Sequence, residues 1–198
     1  ALYVPTFEKR FQGVGIEDLA EQLKNKILAN QDTDVILVGH SRGGLVAAYF
    51  QAFLAAGVSV TVHRVICLAS PFGGSSVAAK PLSSVSTSVQ QMEISSSFLK
   101  KLNAEVIKHK VYHYLAAPND GLVSEEATSP PEHKEYRRTL SAGNHLSMTR
   151  EATTASFILQ QIHQVAEKFV QADLKQPKEF VLEAKKVDAK TSSSTVKD

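Results

Sequence analysis

The sequence is poor in the features that mark several large protein classes. Cys67 is its only cysteine, which excludes an internal disulfide framework and a thiolate-based structural zinc site. Charge of one sign is scarce: 22 Lys and Arg against 20 Asp and Glu leave a net charge of +2. That is too little for the broad basic field of a nucleic-acid binder. No uninterrupted apolar stretch approaches the ~18 residues needed to cross a bilayer, and Ala1-Leu2-Tyr3-Val4-Pro5 lacks the basic region and long apolar run of a secretory signal. An Asn-x-Ser/Thr sequon, an internal repeat and an initiator Met are also missing, and without the Met, Ala1 reads as a position inside a longer chain. The lone thiol leaves localisation open. What is present, 198 residues of which 43% are hydrophobic, is enough for one globular domain with a sizeable core.

Short β-rich runs alternate with helical periodicity, the pattern of a mostly parallel sheet covered by helices on both faces. Residues 2–5, 34–38, 62–69, 111–116 and 136–140 read as strands, and all but the last are apolar enough to be buried on both sides. Ile16, Leu19, Ala20, Leu23, Ile27 and Leu28 recur at helical spacing and predict an amphipathic helix between the first two strands. A second helix is expected over 43–56, ended by Gly57, and a long closing helix over 150–170. Residues 75–97 are Ser-rich and aperiodic, followed by Phe98, Leu99 and Leu102, so residues 75–103 read as a lid-like insertion ending in a short helix. The domain is thus expected over 1–170, with 171–198 a charged, partly disordered tail.

The sharpest chemical signal is Gly39-His40-Ser41-Arg42-Gly43-Gly44, directly after an apolar strand and directly before a helix. Gly-x-Ser-x-Gly in that context lifts a serine onto a tight turn above the sheet edge. Side chains two residues either side of it would collide, hence the glycines. Ser41 is the candidate nucleophile, and the backbone N–H of Arg42, at a helix N-terminus, is aimed at a developing oxyanion. A serine nucleophile needs a base, and the base an orienting carboxylate. Asp120 lies in a turn past the strand over 111–116, with Glu125 and Glu126 as alternative acids. His145 follows the strand over 136–140, where Gly143 lets the chain turn back over the sheet edge. His40 is the rival base, but within the elbow it is expected to face the sheet. Cys67, mid-strand among Ile66, Leu68 and Ala69, reads as a buried small hydrophobe, and the lysines at 100, 101, 108 and 110 as a solvated helix face.

These motifs resemble the α/β-hydrolase superfamily, more narrowly its lipase and esterase branch, over about residues 1–165. The run from Cys67 to Ser75 is similar to the Pro-His-Gly-Ser run of many lipases, with Phe72 in place of its histidine. The stretch 97–103 resembles their cap region, and the stretches 119–123 and 143–146 their acid and base loops. The resemblance implies a Ser41, Asp120, His145 triad, no cofactor, and a carboxylic ester as substrate, either a small molecule or a lipid met at a membrane surface. The same triad serves acyl transfer and thioester cleavage. The family's His-Gly loop, which donates a second oxyanion N–H, has no counterpart here, since no His-Gly pair occurs. In the resemblance that loop and the first strands fall upstream of Ala1. An oxyanion site short of one donor would also fit a weak or inactive hydrolase fold used for binding or as a scaffold.

Overall fold

The computed structural model describes residues 1–6, 13–75 and 86–175. Its centre is a parallel sheet of four strands, β1 (Asp34–His40), β2 (Thr61–Leu68), β3 (Tyr112–Ala116) and β4 (Arg137–Thr139), in the order β1-β2-β3-β4. Gly39 pairs with Cys67, Cys67 with Tyr114, and Tyr114 with Arg137, so the carboxyl ends of all four strands reach one edge of the sheet.

Side chains alternate along β2 because successive residues of a strand point to opposite faces. Val65 and Cys67 enter one core with Tyr112 and Tyr114 of β3, beneath the helices α1 (Ile16–Ala29), α2 (Arg42–Tyr49) and α4 (Ser97–Val106). Ile66 and Leu68 enter the other with Leu115, Leu140 and Met148, covered by Phe157 and Ile158 of the closing helix α5 (Ala152–Lys175). Helices on both faces of a parallel sheet are the architecture the alternating pattern predicts. Cys67 is fully buried, and burial pushes its thiol pKa up, which removes it as a nucleophile.

Three elements differ from the sequence-based expectation. Residues 2–5 form no strand: Leu2 and Val4 are 91% and 87% exposed. A short apolar run becomes a strand only where a neighbouring edge supplies the hydrogen-bond ladder, and among the described residues β1 pairs with β2 alone. The second helix does not stop at Gly57. After Tyr49 it widens into a π turn (Phe50–Leu54) and closes in a 3-10 turn (Ala56–Val58), with Ser59 taking the left-handed conformation at φ 56°. Finally, the insertion contains a short helix α3 (Thr87–Gln91) ahead of α4. Gln91 accepts from the backbone N–H of Ile16 at 2.6 Å and donates to Glu17, so α3 caps α1. Phe98, Leu99 and Leu102 are buried in the main core, Phe98 stacked on Tyr49. The apolar face of α4 is therefore covered by the domain itself; residues 76–85 of the insertion, like 176–198 of the tail, lie outside the described residues.

Candidate active site

Ser41 sits between β1 and α2 with φ 54° and ψ −126°, a conformation that costs an L-residue of order 1–3 kcal/mol and persists only when its surroundings fix it. Two contacts do so. The Ser41 N–H donates to the carbonyl of Leu68 at 2.8 Å, tying the turn to the end of β2, and its carbonyl accepts from Gly44 at 3.1 Å. A Cβ at Gly39 would run into the carbonyl of Gly43, and one at Gly44 would overlap the hydroxyl of the fully buried Ser70. Gly39 is thus sterically required, as the elbow motif demands; at Gly43, the motif's second glycine, a Cβ would meet nothing within 4 Å, so the expected collision on that side falls one residue later, at Gly44. Arg42 is the first residue of α2, and its guanidinium donates to Ser88 of α3 at 2.8 Å.

Asp120 and His145 come from separate loops and meet. The Nδ1 of His145 lies 2.7 Å from Oδ2 of Asp120, with the carboxylate side chain 1% and the imidazole 9% exposed. A carboxylate removed from water needs donors, and the other oxygen of Asp120 accepts from the backbone N–H groups of Leu122 at 2.8 Å and Val123 at 2.9 Å. This geometry has a chemical consequence for the imidazole. The carboxylate can only accept, so Nδ1 carries the proton and Nε2 is left as the basic nitrogen. Glu125 and Glu126, the alternative acids, are exposed and pair with no histidine. Gly143 at φ +106° turns the base loop, its carbonyl accepts from Asn119 at 3.2 Å, and Asn144 Oδ1 accepts from Leu146 and Ser147. Among the described residues no hydrogen bond joins Ser41 Oγ to His145 Nε2; Asp120 and His145 are brought together, and Ser41 stands on the adjacent elbow.

His40 departs from its expected orientation. It does not face the sheet: its Nε2 lies 2.7 Å from the main-chain carbonyl of His145, and the two rings are 4.8 Å apart. A carbonyl accepts, so Nε2 is the donor. Burial holds the His40 pKa below the usual imidazole range, partly offset by this hydrogen bond. Sequence alone gave His40 no reach to the base loop, because that contact exists only once the loop after β4 folds back across the sheet edge. Of the remaining histidines, His133 is buried and hydrogen-bonded to the hydroxyl of Tyr114, and His63 is paired with Asp34. Among the described residues no group of three or more His, Cys, Asp or Glu is placed to hold a metal ion, and no helix is long and apolar enough to cross a membrane.

The model of the PGAP1-like alpha/beta domain family matches residues 14–171. No curated protein sequence matches the chain. Among solved structures, the fold is similar to the phospholipase PlaB from Legionella pneumophila (TM-score 0.55, 15% identity, 63% of this chain and 36% of that one). It is also similar to a carboxylesterase from the ammonia-oxidizing thaumarchaeon Nitrososphaera gargenis (0.56, 12%, 79% and 74%). A third similar structure is the N-acyl homoserine lactonase AidH in complex with N-butanoyl homoserine (0.57, 10%, 80% and 73%). The chain thus spans about a third of the PlaB chain and about three quarters of the other two. With most of its length matched, from the residues before α1 to the last turns of α5, the chain belongs to the PGAP1-like alpha/beta domain family and has the α/β-hydrolase fold.

Proposed function

We propose that the protein is a serine hydrolase that cleaves carboxylic esters through an acyl-enzyme intermediate. The observation that carries this reading is the buried Asp120–His145 pair, at 2.7 Å, beside an elbow that forces Ser41 into a strained turn. Ser41 Oγ attacks the acyl carbonyl while Nε2 of His145 takes its proton. The same imidazolium then returns the proton to the leaving alcohol, and a water repeats the sequence to release the acid. Asp120 keeps Nδ1 protonated and stabilises the imidazolium. The backbone N–H of Arg42, at the start of α2, donates to the oxyanion. All these steps use side chains and backbone of the chain itself.

A short-chain activated ester tests this. The unaltered protein should turn it over with a burst of alcohol release, and Ser41→Ala should remove both burst and turnover. Steady hydrolysis that survives in Ser41→Ala would contradict the assignment.

A further inference from the structure

The three groups of the proposed site stand on three different strand ends. Ser41 follows β1 and His145 follows β4, three inter-strand spacings away, or about 14 Å at the usual separation. His145 must therefore be carried back across the sheet edge and held there. Asp120, after β3, holds only the imidazole, through Nδ1. The backbone of the loop is anchored to the acid loop through the carbonyl of Gly143. On the nucleophile's side it meets His40, whose Nε2 reaches the carbonyl of His145 at 2.7 Å and whose ring lies 4.8 Å from the ring of His145.

We infer that His40 is a positioning residue, which fixes the distance between nucleophile and base by donating from Nε2 to the main-chain carbonyl of His145. It is covalently next to Ser41, so any displacement of the elbow is passed directly to the base loop and any displacement of the loop back to the elbow. The bond needs the Nε2–H tautomer, and protonation of the ring would leave that donor in place. What the contact supplies is distance: a misplacement of about 1 Å between reacting groups costs on the order of a hundredfold in rate. The inference rests on the proposed hydrolase reading for its kinetic consequence, while its geometric part stands apart from any reaction.

Two substitutions separate donation from packing. His40→Gln keeps an N–H donor near the position of Nε2 and loses the ring; His40→Phe keeps the ring and loses the donor. Two measurements are made on both variants and on the unaltered protein: the rate of fluorophosphonate labelling, and the NMR signal of the His145 Nδ1 proton shared with Asp120, in protein labelled with ¹⁵N-histidine. His40→Gln is expected to label within about threefold of the unaltered rate and to keep the Nδ1 signal. His40→Phe is expected to label on the order of tenfold to a hundredfold more slowly and to shift or broaden that signal, at an unchanged melting temperature. Equal rates and signals in His40→Phe and the unaltered protein would overturn the inference, as would equal losses in both variants, which would assign the contact to packing. If the unaltered protein takes no label, the hydrolase reading fails by itself, and the Nδ1 signal still decides whether His40 positions the base.

Discussion

Ser41 carries a backbone conformation that serine rarely adopts, and Asp120 keeps a carboxylate almost wholly out of water with three donors around it. At this scale the central prediction concerns the imidazole tautomer. Asp120→Asn replaces an acceptor by an amide that can donate, so Nδ1 of His145 becomes the acceptor and the proton moves to Nε2. We expect kcat on an activated ester to fall by about 10⁴-fold, with the protein still folded. Loss of activity in Glu125→Gln together with a neutral Asp120→Asn would reassign the acid. Much of this residue set was legible in the sequence, because glycines around a serine and a turn Asp and His after later strands are local patterns. The acid remained one of three there, and only the contact with His145 distinguishes Asp120 from the exposed Glu125 and Glu126. The orientation of His40 was not legible, since it depends on a loop more than a hundred residues later folding back onto the elbow.

Among the elements, α2 sets the elbow through a close approach to the end of β2. A Cβ on Gly44 would overlap Oγ of Ser70 and come within 2.8 Å of its Cβ. Gly44→Ala is therefore expected to cost about 1–3 kcal/mol of stability by overpacking, and Ser70→Gly in the same chain to recover part of it. Urea unfolding of the two single variants and the double variant measures this, and strictly additive effects would deny the contact. Leu102 on α4 is 1% exposed, within the main core. Truncation to Ala should cost about 2–5 kcal/mol, whereas a helix resting loosely over an acyl site would lose little. The periodicity of α1 and α5 sufficed to place both helices. The π turn that extends α2 and the capping of α1 by Gln91 were not readable, because each depends on tertiary contacts that local spacing does not encode.

For the whole molecule, both faces of the sheet are covered, and buried and half-buried imidazoles stand among its apolar side chains. Burial, followed by the positive charge of Arg64, pushes His113 down to about 4, and burial lowers His133 and His40 as well. Unfolded histidines take up protons near 6.5. Between that value and about 4 the unfolded chain binds more protons than the folded one, so stability should fall as the pH falls through this window. Urea midpoints at about pH 7 and about pH 5 should show the drop, and His113→Gln should reduce it; an identical pH dependence in that variant would remove His113 from the cause. The claim on which everything else depends is that the fold serves a single activated serine. Reaction with a fluorophosphonate probe followed by peptide mapping tests it most directly. The account predicts one modified peptide, carrying the label on Ser41, and no labelling after Ser41→Ala; a label on another residue, or labelling that persists unchanged in Ser41→Ala, would contradict it.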